Sequence, residues 1–185
     1  MIDQLQHLVH EVFGNIPIGF LGSLLLFFCT GTVLLLALIG MARGTRWSAG
    51  LLLFEYMFLL VVSAVLVRKV NTTRLFNFTP FWSYRAIMEG NFSILIQNIG
   101  NVVAFVPIGF LLGYAFNRMK WWQVMLVGGG FSLLIEILQF VFKRGFTEFD
   151  DVFHNVLGCV IGFEMYILSK WLIRHISPLT ATRSK

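Results

Sequence analysis

The sequence predicts an all-α integral membrane protein: a bundle of about five transmembrane helices preceded by an interfacial amphipathic helix. Three observations carry that expectation. Of the 185 residues, 57% are hydrophobic and only 12% are charged, proportions that soluble domains rarely approach. Five apolar runs are long enough to cross a hydrocarbon core of about 30 Å. The basic residues behind the formal charge of +5 sit mostly at the junctions between those runs, which is where membrane topology places them, so a nucleic-acid partner is not implied.

Residues 1–16 form the first unit. Ile2, Leu5, Leu8, Val9, Val12 and Phe13 recur at helical spacing, with Asp3, His7, His10 and Glu11 largely elsewhere on the wheel, the pattern of a helix lying in the membrane surface. The two histidines read as solvated surface. A cleaved signal peptide is not expected, because the segment carries acids and no Lys or Arg. Residues 17–175 are the transmembrane unit and 176–185 a basic tail. The spans are expected at about 18–42, 47–67, 92–116, 121–142 and 152–173. Cys29 and Cys159 fall inside apolar runs and are expected as buried free thiols.

Residues 70–90 break the apolar pattern with Asn, Thr, Pro, aromatics, Arg74, Arg85 and Glu89. An ordered interfacial loop with short helical pieces fits them, and its length makes it a functional candidate. In the third span Pro107 removes a backbone donor, while Gly100, Gly109 and Gly113 permit close helix approach.

Five spans place the termini on opposite sides. Arg43, Arg46, Arg118, Lys120, Lys170, Arg174, Arg183 and Lys185 share one side, and Arg68, Lys69, Arg74, Arg85, Lys143 and Arg144 the other. The larger basic set favours a cytoplasmic C-terminus and an external N-terminus.

Polar stripes then converge. Ser132, Glu136, Gln139 and Lys143 share one face of the fourth span, and Asp151, Asn155, Gly158 and Gly162 one face of the fifth. Asn98 and Asn101 enter from the same side of the membrane, and at about 1.5 Å per residue Asn101 and Glu136 both lie roughly 10 Å inside their helix ends. A carboxylate at that depth costs about 2.5–3.5 kcal/mol on insertion scales, which makes Glu136 a functional candidate. The bland alternative is a hydrogen-bonded network that locks the spans together, with Asp151 as a helix cap and Gly158 and Gly162 as packing positions.

Chemically the cluster admits two readings. Glu136, Asp151 and His154 have the residue types for acid–base catalysis, and with Glu148 and Asp150 for a divalent cation. No HExxH pair, phosphatase signature or nucleophile elbow accompanies them, so no metal or cofactor is expected. As a recognition site, Asn101, Glu136, Gln139, Arg144, Asp151 and Asn155, with Arg85, offer amides, carboxylates and planar donors to a lipid headgroup or a lipid-tethered polar molecule.

Five segments in order, NFTPFWSY at 77–84, NVVAFVPIGF at 101–110, EILQ at 136–139, Arg144 with EFDD at 148–151, and NVLGCVIG at 155–162, resemble the pattern of the VanZ-like family of bacterial membrane proteins. The resemblance covers residues 77–164, with Glu148 at a family acidic position that precedes the final Asp. It implies a multi-pass protein of the bacterial cell membrane, associated with resistance to teicoplanin and related lipoglycopeptides, but no particular reaction. The expected partners are membrane lipids and a lipoglycopeptide or lipid-linked cell-wall precursor. A membrane enzyme acting on a lipid or wall precursor is the alternative, and a small carrier or flippase, using Glu136 and Glu164, a further one.

Overall fold

The computed structural model describes residue 31, residues 39–40, 45–68 and 70–181, with side chains up to 175 apart from those of residues 66 and 67. The elements are α1 (Arg46–Val61), continued as a π-helical end over Val62–Val67, then β1 (Phe76–Asn77), α2 (Trp82–Met88), α3 (Phe92–Ala115), α4 (Trp121–Phe142), β2 (Thr147–Glu148) and α5 (Phe149–Ala181). The all-helical expectation holds, with sheet confined to one two-residue pairing. Among the described residues, four helical stretches are long and apolar enough to cross a membrane: Arg46–Val65, Phe92–Ala115, Trp121–Phe142 and Phe149–His175. Apart from residues 31, 39 and 40, the remaining expected span, at 18–42, lies outside the described residues, as does the amphipathic segment at 1–16. The tail expected from 176 onwards begins as a continuation of α5 as far as Ala181.

Leu126, Leu133, Ile137 and Val141 stand exposed along α4, as side chains facing lipid tails do. The interior is built on α3 against α5, the most extensive helix pair. Glycine explains how closely they meet. A side chain on Gly109 would strike the Cys159 carbonyl, one on Gly158 the Val102 carbonyl, and one on Gly162 the Val106 carbonyl, so backbone rests on backbone in the manner of small-residue membrane interfaces. Phe105, Ile108, Val124, Phe131, Cys159 and Phe163 fill the buried centre. Helix α1 joins through Ala49 and Leu53 and through the Tyr56 hydroxyl, which donates to the Ala104 carbonyl at 2.9 Å. Pro107 is accommodated within α3.

One end of this bundle is elaborate. Helix α4 stops at Lys143, whose φ of +54° is left-handed, and the Arg144 amide turns back onto the Gln139 carbonyl at 2.8 Å, closing the helix as a Schellman turn does. The chain from 70 to 90 is tied to the linker that follows. Val70 bridges to Arg144, Asn71 donates from its amide to Lys143 and from its side chain to Gly145, and β1 runs parallel to β2 with Phe76 opposite Thr147 and Asn77 opposite Glu148. The expected ordered loop is therefore present, with α2 as its helical piece.

Candidate functional site

The site is assembled where the π-helical end of α1, the first turns of α3, the last turns of α4, β2 and the start of α5 come together. Asn98, Ser132, Glu136, Gln139, Thr147, Glu148, Asp150, Asp151, His154 and Asn155 are all buried there. The helical spacings of three and four are the reason. They turn Ser132, Glu136 and Gln139 of α4 and Asp151 and Asn155 of α5 inward together, while small residues let α5 seat close to α3.

Two carboxylates of the acidic tract have separable roles. Asp150 accepts the Phe81 amide at 2.6 Å, the Ser83 amide at 3.0 Å and the Ser83 hydroxyl at 2.6 Å. It thus caps the start of α2 from across the chain, satisfying amides a helix leaves open at its first turn. Beside it the Tyr84 hydroxyl meets His154 Nε2 at 3.0 Å, with the two rings stacked at 5.7 Å. Phe81, held at a φ of +60°, sets its ring edge-on to Phe153 at 5.7 Å. These contacts lay the 70–90 segment over the site.

Glu136 lies deeper. One of its oxygens accepts the Glu148 amide at 3.0 Å, so β2 hangs from the α4 carboxylate. The Glu148 carboxylate accepts Gln97 Nε2 at 3.3 Å, and the indole of Trp82 approaches it without a hydrogen bond of ordinary geometry. Burial, and then the charge of Asp151, push the Glu148 carboxyl up to about 7, with Gln97 and Trp82 partly offsetting them. Asn155 donates to the Ser132 hydroxyl at 2.7 Å, and Gln139 reaches the Ala64 carbonyl in the π-helical end of α1 at 3.4 Å. Arg68 is a cation whose charge reaches both Glu136 and Asp151. Its guanidinium lies over Gly145, whose φ of +72° and bare α-carbon leave room for it.

Of the residues expected from sequence, Asn101, Glu136, Gln139, Asp151, His154 and Asn155 are brought together. Arg144 borders them, and its guanidinium donates to the Arg68 main-chain carbonyl, which orients the turn carrying Arg68. Arg85 is exposed on α2, and no described contact links it to the cluster. Arg74 stands over the Phe140 ring, 5.4 Å from its centroid. Sequence reasoning did not single out Arg68, Gln97 or the capping role of Asp150. The last two carry a usable signal, since Gln97 with Asn101 and Asp150 with His154 repeat the spacing of four. Arg68 reads only as a span terminus.

The site is incomplete as a hydrogen-bonding system. Among the described residues, eight buried side-chain atoms have no hydrogen-bond partner of ordinary geometry: Trp82 Nε1, Asn98 Oδ1, Asn101 Nδ2, Gln139 Oε1, Glu148 Oε2, Asp151 Oδ1, His154 Nδ1 and Asn155 Oδ1. All eight belong to this end of the bundle, and five are oxygens. Among the described residues no group of His, Cys, Asp and Glu has the arrangement of a metal centre.

Architecture and site together define a multi-pass helical membrane protein with a buried polar cluster at one membrane boundary. The chain belongs to the VanZ/LLP1 family, whose model matches residues 47–172. It is 35% identical over 96 residues to Protein VanZ of Enterococcus faecium, a match covering 52% of this chain and 55% of that protein. The chain thus spans about half the length of this curated relative. No solved structure matches it.

Proposed function

We infer that this protein binds a polar, lipid-attached ligand at the outer face of the cell membrane and thereby protects the cell against teicoplanin or a related lipoglycopeptide. The observation that carries the binding reading is the set of eight unpartnered polar atoms buried at one end of the bundle. An orphaned buried donor or acceptor costs about 1–3 kcal/mol, so eight in one place are an unstable arrangement unless a guest or ordered water completes them. Their composition describes the guest. Glu148, Asp151, Asn98, Gln139 and Asn155 each offer an unpaired oxygen against two unpaired donors, on Trp82 and Asn101, with His154 able to serve either way. Hydroxyl- or amino-rich headgroups supply what is lacking. The resistance reading is supported by membership of the VanZ/LLP1 family and by the five motif segments, and the outer-face assignment by the larger basic set at the opposite end.

The test is expression of the full chain in a susceptible host, with Glu136→Gln, Asp151→Asn and Arg68→Gln variants matched for membrane abundance. The wild-type chain is expected to raise the teicoplanin concentration that stops growth, and each variant to lose most of that protection. No protection by the wild-type chain sinks the resistance reading, and full protection by all three variants sinks the site. Mass spectrometry of lipids and wall precursors in the same strains separates binding from catalysis. New covalent products that depend on Glu136 or Asp151 replace the binding reading with the enzymatic one.

A further inference from the structure

The opposite end of the bundle carries a second recess that the reading above does not use. Three adjoining clefts meet at Asn117, between the start of α1, the end of α3, the start of α4 and the last membrane turns of α5. The largest has a volume of about 670 Å³. Arg46, Arg118, Lys120, Lys170 and Arg174 line them, and among the described residues no Asp or Glu does. Basic residues at helix ends are ordinary topology signals, so their number alone proves nothing. Their setting is less ordinary.

The Asn117 side-chain oxygen accepts Lys170 Nζ at 2.6 Å and the Tyr166 hydroxyl at 3.2 Å. Lys170 also stands over the Tyr166 ring, 5.8 Å from its centroid. The best-placed side-chain acceptor is therefore already engaged, and what the recess presents outward is donors: the rest of the Lys170 ammonium, the guanidinium groups and the Asn117 amide nitrogen. Trp121 and Trp122, the first residues of α4, border the same space, so the positive end of a 22-residue helix opens onto it. With Trp171 they are exposed, as aromatic side chains at headgroup level are. At about 1.5 Å per residue, Lys170 lies about 29 Å along α5 from Asp151, close to the hydrocarbon thickness of a bilayer. The recess therefore opens at the boundary opposite the acidic site.

We propose that this recess binds the phosphate headgroup of an anionic glycerophospholipid, held by Lys170, Arg174 and Arg46 at the mouth of α4, with the acyl chains lying against the lipid-facing surface below. This is a structural lipid site, independent of whatever ligand the acidic end takes.

The purified full-length chain, titrated in detergent with phosphatidylglycerol, phosphatidylcholine and inorganic phosphate and read by native mass spectrometry, tests it. Phosphatidylglycerol adducts are expected to survive where phosphatidylcholine adducts dissociate. The Lys170→Gln/Arg174→Gln pair should weaken them about twenty-five-fold, at about fivefold per charge removed. Equal retention of both lipids overturns the proposal, and so does phosphate that competes without any preference for the lipid. If the paired variant does not fold, lysine acetylation of the wild-type chain in nanodiscs decides. Phosphatidylglycerol must protect Lys170 relative to phosphatidylcholine and leave Lys143, at the other end, unchanged; parallel changes at both lysines refute a site.

Discussion

At one end of the bundle the polar groups are buried and short of donors; at the other they are exposed and short of acceptors. The acidic end is closed by the 70–90 segment, which Asp150 clasps through three hydrogen bonds. The basic end has no comparable cover among the described residues and remains a cleft. The difference teaches that polarity in a membrane protein has two costs. A group taken out of water must be paired by the protein or by a guest, whereas a cation at headgroup level keeps water and counterions within reach. Substitutions should therefore be expensive at the first end and cheap at the second.

The largest effect is expected from Asp150→Ala, which leaves the Phe81 and Ser83 amides without their partner. A cost of about 3 kcal/mol follows from two or more buried orphans, visible as a lowered unfolding temperature and as new protease cleavage between residues 77 and 90. Unchanged cleavage there would show that the aromatic contacts of Phe81 alone hold the segment. Tyr84→Phe removes one hydrogen bond, to His154, and is expected to cost about 1 kcal/mol in the same assay.

A pH series sharpens the comparison further. The Glu148 carboxyl is raised from its ordinary 4.5 to about 7, so between those values the folded chain holds a proton that the unfolded chain releases. Stability should be flat below about 4.5 and fall as pH rises to about 7, and Glu148→Gln should make that decline shallower. A wild-type profile that instead rises from pH 5 to 7 contradicts a buried neutral Glu148. The smallest effect belongs to the basic end: Lys120→Ala should change stability by less than about 0.5 kcal/mol, as exposed substitutions do.

Much of this was legible in the sequence, and the boundary of legibility has a physical origin. Long apolar runs announce spans because only a helix satisfies its backbone inside a lipid. Spacings of three and four announced that Glu136 and Gln139 share a face of one helix, and Asp151 and Asn155 a face of the next, because helical geometry is local. The identity of the cation was not legible. Arg68, Arg74, Arg85 and Arg144 are all assigned by sequence to one side of the membrane, and what holds Arg68 beside the cluster is the tie of Val70 and Asn71 to the turn at Lys143–Gly145, more than seventy residues along the chain. Nor does sequence tell Asp150 from Asp151. Adjacent positions on a helix face about 100° apart, and which of them meets the covering segment depends on where that segment docks.

That docking has a consequence in time as well as in space. Phe76, Asn77, Phe81 and Ser83 are translated well before their partners Thr147, Glu148 and Asp150. At about 5–20 residues per second, the ribosome needs roughly 4–14 s to bridge that interval. During it α3 and α4 are already made while the segment ahead of them has no clasp. The acidic end can therefore close only once the start of α5, with Asp150, has been made.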